Sequence, residues 1–280
     1  MKLAVISDIH GNLLALQAVL ADIARQGVDQ TVNLGDILSG PLQPAETADV
    51  LMQCNFITVR GNHECQVLEL LDGPQQSPSL RRLPNPLNPL NPLTTDGYTA
   101  GQLQPAHIAW IRSLPAALAL NREVFLCHGT PQNDLAYWLE TTVPGHDLGT
   151  SAACPTGMRP ATPAEVLARL GGVAHSLVLC GHTHVPRMAQ CGNVLIVNPG
   201  SVGLQAYDDI YPHPHRVENG TPHARYAVIA KTANGWQVDL RAVPYDHAAQ
   251  ASVAAARQRP DWAFALQTGR TPCGYRTLSL

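Results

Sequence analysis

Short apolar runs alternate with amphipathic stretches through the first sixty residues of the chain. The apolar runs, which predict buried β-strands, cover residues 2–7, 30–34 and 56–60. The stretches between them carry apolar residues at helical spacing over 13–26 and 45–53, and Asn12 is a suitable N-cap for the first helix. This βαβαβ order predicts parallel strands joined by right-handed crossovers.

The rest of the chain predicts further strands and helices in a less regular order. Strands are predicted over 117–120, 123–127 and 176–180, and helices over 64–71, 105–113, 163–170, 246–257 and 260–267. Two antiparallel hairpins are predicted, 186–190 with 193–197 and 225–231 with 236–243. A half with parallel crossovers followed by a hairpin-rich half predicts an α/β fold, in which two packed sheets carry helices on the outside.

Three segments lack a clear period. Residues 73–95 are dense in proline, which excludes a helix or a central strand and predicts an extended loop inserted into the domain. Residues 130–160 are irregular, with a helical turn expected near 136–140. Residues 205–225 gather aromatic and basic side chains and form either a surface loop or an approach to the substrate. Because no linker separates the two halves, we expect a single domain over 1–280 with a C-terminal helical extension at about 246–280.

The charge of the chain excludes an extended basic interface. The formal net charge is −3 and only 14% of residues are charged, which argues against duplex nucleic acid as a partner. No apolar run approaches the roughly 18 residues that a membrane helix needs, so no membrane partner is expected. The seven cysteines form an odd set without CxxC spacing, which indicates a reducing compartment. We therefore expect a cytoplasmic protein.

Five short polar motifs each follow a predicted strand. They are Asp8-Ile9-His10, Gly35-Asp36, Gly61-Asn62-His63-Glu64, Cys127-His128-Gly129 and Gly181-His182-Thr183-His184. In α/β folds ligands bind at the carboxyl ends of the strands, so these loops should bring carboxylates, an amide and imidazoles together. Such mixed oxygen and nitrogen donors suit two divalent transition metal ions, Mn, Fe, Ni, Co or Zn, rather than a thiolate-rich zinc site. The motifs therefore predict a dinuclear metal centre that hydrolyses a phosphate ester.

The order of these motifs resembles the calcineurin-like metallophosphoesterase superfamily. The segments SDIHGNLLALQAVL, RGNHE, HGTP, GHTHVP and VNPGSVG are similar to its small bacterial phosphodiesterase branch, which includes proteins likened to asymmetric diadenosine tetraphosphate hydrolases. The resemblance covers roughly residues 1–71 and 120–245. It implies a four-layer αββα sandwich that hydrolyses a phosphodiester or phosphoanhydride of a small, nucleotide-like substrate through a hydroxide held between two metal ions.

The resemblance also implies a role for each motif residue. The first metal ion would be bound by Asp8, His10, Asp36 and His184. The second would be bound by Asp36, Asn62, His128 and His182, with Asp36 as the bridge. His63 would bind no metal and would face the substrate, where it would protonate the leaving oxygen or stabilise developing charge. Glu64 stands where Asp is commoner in the family, and we expect it to orient the neighbouring histidine.

Some interpretations stay open at the level of the sequence. Arg60 and Arg187 are candidate phosphate contacts, although a supporting or surface ion pair would also explain Arg60. A phosphomonoesterase or a protein phosphatase is an alternative, but the run after Asp36 lacks the arginine that grips phosphate in such phosphatases. A DNA exonuclease is disfavoured by the low content of lysine and arginine. A non-catalytic, metal-binding interaction scaffold would require all the ligand positions to be retained without use.

Overall fold

The computed structural model describes residues 1–73, 94–145 and 156–272. Almost all of the predicted proline-rich loop, part of the irregular stretch at 130–160 and the end of the predicted C-terminal extension lie outside these ranges. Within them, the chain forms two five-stranded sheets, two smaller two-stranded sheets and eight helices. No helix of the described ranges combines the length and apolarity that crossing a bilayer requires.

The first sheet has the order β14-β13-β1-β2-β3. Its strands are β1 (Lys2–Ile6), β2 (Gln30–Asn33), β3 (Ile57–Thr58), β13 (Ala224–Thr232) and β14 (Gly235–Val243). Strands β1, β2 and β3 are parallel, which confirms the prediction from the first sixty residues. The predicted hairpin around Asn234-Gly235 is also confirmed, and its strand β13 runs antiparallel to β1.

The second sheet has the order β4-β5-β8-β10-β9. Its strands are β4 (Ala117–Ala119), β5 (Val124–Cys127), β8 (Leu177–Leu179), β9 (Arg187–Cys191) and β10 (Val194–Asn198). The central strands β5, β8 and β10 are parallel, whereas the edge strands β4 and β9 are antiparallel to their neighbours. Both large sheets are therefore mixed. In each sheet, the carboxyl ends of the parallel strands lie at the same edge.

Strand periodicity explains how the layers are packed. In β1, Leu3 and Val5 point into the core between the two sheets, while Ala4 and Ile6 pack against the outer helices. The helices are α1 (Leu13–Ile23), α2 (Pro44–Met52), α3 (Asn62–Asp72), α4 (Thr95–Gln102), α5 (Pro105–Ser113), α6 (Pro163–Leu170), α7 (His247–Ala256) and α8 (Pro260–Thr268). A separate cluster that includes Val166 of α6 covers the outer face of the second sheet. The predicted fold of two packed mixed sheets flanked by helices is confirmed.

Local sequence signals set several helix boundaries. The side chain of Asn12 accepts a hydrogen bond from the Ala15 amide at 3.1 Å, which confirms it as the N-cap of α1. Thr162 caps α6 in the same way by accepting from the amide of Glu165, and its own amide donates to the Glu165 carboxylate, which completes a capping box. Helix α1 ends at Ile23, three residues before the predicted end, because the following residues form tight turns.

Three sequence predictions differ from the structure. The helical turn expected at 136–140 is wrong, since Glu140–Thr142 forms strand β6, which pairs with β7 (Met158–Pro160). The segment 205–225 is not simply a loop, because β11 (Ala206–Asp209) and β12 (His215–Glu218) form an antiparallel ribbon. Alternation was hard to recognise there because the ribbon buries polar side chains, His215 among them. Helix α4, directly after the proline-rich segment, was not predicted at all.

Candidate metal centre

The loops that follow β1, β2, β5 and β8 meet at one edge of the molecule. Two groups of side chains lie there, and within each group the ligand atoms all lie within 4.8 Å of one another. The first group is Asp8, His10 and His184, and the second is Asp36, His128 and His182. Asn62, at the start of α3, joins the second group, with its Oδ1 atom 3.1 Å from Nε2 of His128. The structure thus brings together the seven residues that the motifs predicted as metal ligands.

The backbone at these positions is unusual. Among the residues that the structure describes, six other than glycine have positive φ, and five of them are Asp8, His10, Asp36, His182 and His184. The left-handed conformation is costly for residues with a side chain and is found mainly at functional sites. It also means that simple strand alternation does not set the direction of Asp8 and His10, although both side chains do face the same group.

Backbone carbonyls orient the histidines of the first group. Nδ1 of His10 lies 2.7 Å from the carbonyl oxygen of Ser39, and Nδ1 of His184 lies 2.7 Å from that of Leu204. A carbonyl oxygen can only accept, so each Nδ1 carries the proton and each neutral ring presents a lone pair at Nε2. The two Nε2 atoms lie 3.1 Å apart. Two lone pairs face each other at this distance favourably only when a proton or a cation lies between them.

The second group repeats this arrangement. Nδ1 of His128 donates to the carbonyl of Leu34 at 2.8 Å, which leaves Nε2 as the lone pair of the neutral ring. That atom faces two oxygen acceptors at 3.1 Å each, Oδ2 of Asp36 and Oδ1 of Asn62. Histidines that bind metal commonly donate their other N–H to a carbonyl in this way. The donor set of both groups therefore fits a divalent metal ion.

Electrostatics keep the two carboxylates charged despite their burial. Asp8 is fully buried and Asp36 is 2% exposed. Burial alone would raise the pKa of both, but His184 beside Asp8 and His128 beside Asp36 lower it, and the resulting pKa lies below the usual value. Two buried anionic oxygen ligands are consequently available at neutral pH.

The histidines differ from one another in their pKa. Burial, together with the neighbouring histidines, lowers the pKa of His10 to about 4 and that of His182 to about 3. Both rings are therefore neutral at physiological pH, as metal binding requires. Burial also acts to lower the pKa of His128, but Asp36 outweighs it and raises that pKa to about 9. In the metal-free protein a proton on His128 thus takes the place that a cation would hold.

Glu64 supports the loops that carry these ligands. Its carboxylate accepts hydrogen bonds from the amides of Asp36 and Gly61 at 2.9 Å and from the amide of Ile37 at 2.8 Å. These hydrogen bonds replace the expected contact with the neighbouring histidine. They form a clamp that joins the loop of Asp36 and Ile37 to the loop of Gly61.

Two glycines allow close approach at the centre. A Cβ atom on Gly61 would lie 2.1 Å from Oδ1 of Asp36, and one on Gly181 would lie 2.0 Å from Oγ of Ser7 and 2.8 Å from Oδ2 of Asp8. None of these three distances is tolerable for a carbon atom. The glycines before Asn62 and His182 are therefore needed to seat the two carboxylates.

His63 lies beside the two groups without belonging to either. Its ring centroid is 5.5 Å from that of His10, and its side chain is 14% exposed. Nδ1 of His63 lies 2.9 Å from Oδ1 of Asp96, in the first turn of α4. Burial alone would lower the pKa of His63, but the carboxylates of Asp96 and Asp36 raise it to about 10. Sequence analysis missed Asp96, and the only signal near it is the capping threonine, Thr94, that precedes α4.

The two arginines predicted as phosphate contacts have different surroundings. Nε of Arg187 donates to Oε1 of the buried Glu140 at 2.6 Å, so this guanidinium forms a structural ion pair. The amide of Arg60 donates to the carbonyl of Pro115 at 2.9 Å. Neither arginine has a described contact with a residue of the two metal-ligand groups.

Two tyrosines that the sequence did not single out as site residues line the centre. The ring of Tyr137 lies edge-on to His182 with centroids 4.9 Å apart, and Tyr207 lies edge-on to His184 at 4.8 Å. Their hydroxyls are 2.7 Å apart, and His215 contacts the hydroxyl of Tyr137 at 2.8 Å. The ribbon of β11 and β12 therefore supplies part of the wall of the site, which is one of the two roles considered for residues 205–225.

Comparison with known proteins agrees with this geometry. The chain is 24% identical over 280 residues to the uncharacterized protein MJ0912 of Methanocaldococcus jannaschii, with 93% of this chain and 94% of the relative covered. A crystal structure of a metallophosphoesterase from Sphaerobacter thermophilus has a TM-score of 0.68 at 24% identity, covering 96% of this chain and all of the other. The hypothetical protein PH1004 from Pyrococcus horikoshii has a TM-score of 0.67 at 19% identity, covering 97% and 99%. Both solved structures share the fold.

Residues 1–211 match the calcineurin-like phosphoesterase superfamily domain, and this match includes every predicted metal ligand. Members of this superfamily use divalent metal ions, and the donor set of the centre fits such ions. The chain belongs to the calcineurin-like phosphoesterase superfamily and is a hydrolase that acts on phosphoester bonds.

Proposed function

We propose that this chain is a dinuclear metal-dependent phosphoesterase that hydrolyses a phosphodiester or phosphoanhydride bond of a small, nucleotide-like substrate. The observation that carries the proposal is the set of hydrogen-bond acceptors facing one another at the centre. Lone pairs on Nε2 of His10 and on Nε2 of His184 approach to 3.1 Å with no donor between the neutral rings. In the second group, Nε2 of His128 faces the oxygens of Asp36 and Asn62 at 3.1 Å, so this nitrogen must either carry a proton or contact a cation. A divalent cation at each group satisfies all of these acceptors.

The proposed ligands divide as the two groups of side chains do. One ion would be held by Asp8, His10, His184 and Asp36, and the other by Asp36, Asn62, His128 and His182. When bound, two such ions neutralise charge on the phosphoryl group and provide hydroxide at neutral pH. The protein's own contribution is to hold these donors in fixed orientations through the carbonyls of Ser39, Leu34 and Leu204.

Asp36 is the proposed shared ligand. Its Oδ2 atom lies 3.1 Å from Nε2 of His128 in the second group. Burial and His184 lower the pKa of His10 in the first group, and the negative charge of Asp36 partly opposes this lowering. The hydrogen bond from the His63 amide to Oδ1, at 3.0 Å, holds the carboxylate in place. These contacts support the proposal that the Asp36 carboxylate lies between the two groups of ligands.

His63 is the proposed general acid. It belongs to neither group, its side chain is partly exposed, and Nε2 is the ring nitrogen that Asp96 leaves available to the substrate. As the phosphorus–oxygen bond to the leaving group breaks, the proton on Nε2 passes to the departing oxygen. General acid catalysis of this kind contributes about 10²–10⁴-fold, and it matters most for poor leaving groups.

The surroundings of the centre favour a small substrate. The half-buried rings of Tyr137 and Tyr207 form one wall and present flat apolar surface beside His182 and His184. A nucleobase or sugar could pack on such a wall. The net charge of −3 is unfavourable for duplex nucleic acid, because the chain has no excess of basic residues with which to neutralise the phosphates.

A substrate panel tests the proposed activity. The protein is assayed with Mn²⁺ on p-nitrophenyl phosphate, bis-p-nitrophenyl phosphate, cyclic nucleotides and dinucleoside polyphosphates. We expect hydrolysis of diesters or anhydrides to exceed that of the monoester. The reverse preference would favour the alternative of a phosphomonoesterase, and activity confined to phosphopeptides would favour a protein phosphatase.

Metal analysis of variants tests the two-ion assignment. Wild-type protein should bind two equivalents of metal, and Asp36→Asn should lose metal and activity together. Asp49→Asn is a matched control, since Asp49 pairs with the buried His107 at 2.9 Å away from the centre. If Asp36→Asn kept both ions, Asp36 would not be the bridge. Two bound ions without hydrolysis of any ester would favour the interaction scaffold.

His63→Ala tests the general acid separately. It should retain both metal ions and lose far more activity on alkyl esters than on p-nitrophenyl esters. Equal losses on both classes of ester would contradict the role of His63.

A further inference from the structure

A carboxylate from a distant part of the chain holds His63. Oδ1 of Asp96 accepts hydrogen bonds from Nδ1 of His63 at 2.9 Å and from Oγ of Ser39 at 2.5 Å. Asp96 lies 33 residues beyond His63 in the sequence, in none of the motifs that define the centre. The side chains of both Asp96 and His63 are 14% exposed, so the pair borders the open side of the site.

The contact fixes which nitrogen of His63 is available to a substrate. A carboxylate oxygen can only accept, so Nδ1 carries a proton and is committed to Asp96. Nε2, on the opposite side of the ring, is then the nitrogen that can exchange a proton with a bound ester. Without Asp96, the ring could rotate about its side-chain torsions and could adopt the other tautomer.

Asp96 is itself held firmly. Thr94 caps α4 by accepting from the amide of Gly97 at 3.1 Å. Later in the same helix, Oγ1 of the fully buried Thr99 accepts from the amide of Gly40 at 3.2 Å. Helix α4 is therefore docked on the loop that follows Asp36, and its first turn carries Asp96 to the edge of the centre.

Ser39 links the His63 pair to a proposed metal ligand. Its carbonyl oxygen accepts from Nδ1 of His10, while its hydroxyl donates to Asp96. One residue thus sets the orientation of a ligand through its backbone and of the Asp96 carboxylate through its side chain. This geometry gives the pair a fixed position relative to the two metal-ligand groups.

We propose that Asp96 is the positioning residue for His63, orienting its ring so that Nε2 faces the leaving oxygen of the substrate. The proposal rests on the proposed function, because it gives His63 the role of general acid. Helix α4 then contributes a positioning residue to the catalytic site, in addition to packing against the rest of the fold. Asp96 contacts His63 and Ser39, and in this proposal it acts on the reaction through His63.

Leaving-group dependence distinguishes this role from a structural one. Asp96→Asn, His63→Ala and the double variant are assayed on matched phosphodiesters whose leaving groups are p-nitrophenol, phenol and an alkyl alcohol. We expect Asp96→Asn to lower kcat on the alkyl ester by about 10–100-fold, a loss like that seen when the partner that orients a metal-binding histidine is removed, with little effect on the p-nitrophenyl ester. The double variant should be no slower than His63→Ala, because the two residues act as one unit.

The control is another histidine–aspartate pair in the same protein. Asp49 contacts Nε2 of the buried His107 at the same distance, 2.9 Å, but lies on α2 outside the metal centre. Asp49→Asn should leave kcat and its leaving-group dependence unchanged. Metal content and melting temperature, measured for every variant, identify any loss that comes from unfolding or from missing metal.

The possible failures are separable. If Asp96→Asn slowed all esters equally, or if its effect added fully to that of His63→Ala, Asp96 would be structural only and this inference would be wrong while the general acid remained. If His63→Ala itself slowed all esters equally, the general acid role would fail and this inference would fail with it. A leaving-group-selective loss in both single variants supports both.

Discussion

The Nε2 atoms of His10 and His184 lie 3.1 Å apart, on rings whose Nδ1 protons are both donated to backbone carbonyls. The loops that carry them are separated by more than 170 residues of chain, and each ring is buried. The fold therefore holds two lone pairs against each other at the edge of its sheets. Such an arrangement is stable when a cation relieves the repulsion, and it makes metal loading part of the stability of the protein.

Metal removal should consequently lower the melting temperature. A ligand at a hundred times its Kd stabilises the native state by about 2.7 kcal/mol. For a domain of this size, each kcal/mol corresponds to roughly 2–4 °C. We expect scanning calorimetry to show a rise of several degrees between chelator and saturating Mn²⁺. His10→Ala should lose most of this rise and His107→Ala should keep it, whereas identical melting of the wild type in both conditions would contradict the metal site.

Gly61→Ala should abolish metal binding at Asp36. The new methyl group would lie 2.1 Å from Oδ1 of Asp36 and would displace the carboxylate. We expect loss of at least one metal equivalent and of most activity, measured by elemental analysis and hydrolysis of bis-p-nitrophenyl phosphate. Gly101→Ala in α4 is the control, because nothing lies within 4 Å of its added Cβ. Normal metal content in Gly61→Ala would show that the loop adjusts without cost.

Arg187→Ala should reduce stability and leave substrate affinity nearly unchanged. Arg187 pairs with the buried Glu140, and loss of a hydrogen bond between charged groups costs about 1.5–3 kcal/mol, less here because the arginine is partly exposed. Urea denaturation and KM measured on the same preparations separate the two effects. A double variant with Glu140→Gln should be less destabilised than the sum of the single variants. A large rise in KM with unchanged stability would instead support a phosphate contact.

Asp22 should make the protein acid-sensitive at a place remote from the metal centre. Its carboxylate accepts from the hydroxyl of Tyr226, from Arg241 at 3.0 Å and from Arg25 at 2.7 Å. Burial alone would raise the pKa of Asp22, but these contacts lower it below the ordinary value of 3.8. A depressed folded-state pKa contributes stability above the unfolded value, and this contribution is lost as the pH falls through the folded value.

Asp22→Asn should therefore lower the free energy of unfolding at pH 7 by about 1–3 kcal/mol. The difference from the wild type should shrink below about pH 4, where the Asp22 carboxylate of the unfolded chain begins to be protonated, and it should vanish once the pH has fallen below the folded-state pKa. Urea denaturation at pH 7, 5 and 3 in the presence of a chelator measures this difference without interference from metal. A difference that stayed constant over this range would contradict the charged role of Asp22.

The fold was predictable where apolar periodicity is strong. Strands β1, β5 and β8 are short apolar runs, and each leads directly into a polar motif, so their order and the convergence of their loops followed from the sequence. Helices α5 and α6 begin and end at the predicted residues, because Pro105 and Pro163 mark their first turns. The ribbon of β11 and β12 was missed because its buried positions include His215 and Arg216, which break the apolar alternation.

The residues of the candidate site were predictable from the sequence, whereas their arrangement in space was not. The motifs identified the seven proposed ligands and His63, but the left-handed backbone at Asp8 has no local sequence signal, and that at His182 has none beyond the preceding glycine. Asp96 could not be identified, because it belongs to no motif and reaches His63 only through the docking of α4. The clamp formed by Glu64 likewise depends on the distance between two loops that meet only in the folded chain.

One further consequence concerns the order in which the protein acquires activity during folding. Asp8, at the end of the first strand, accepts hydrogen bonds from the amide of His182, and the backbone carbonyl of Asp8 accepts from Ser201 and Gly203. His128, from the second sheet, is oriented by the carbonyl of Leu34 in the first. These pairings close loops of about a hundred residues or more, and contacts of such high sequence separation are slow to form. Refolding should thus restore helical signal well before catalysis, and a working active site is evidence that both sheets have already assembled.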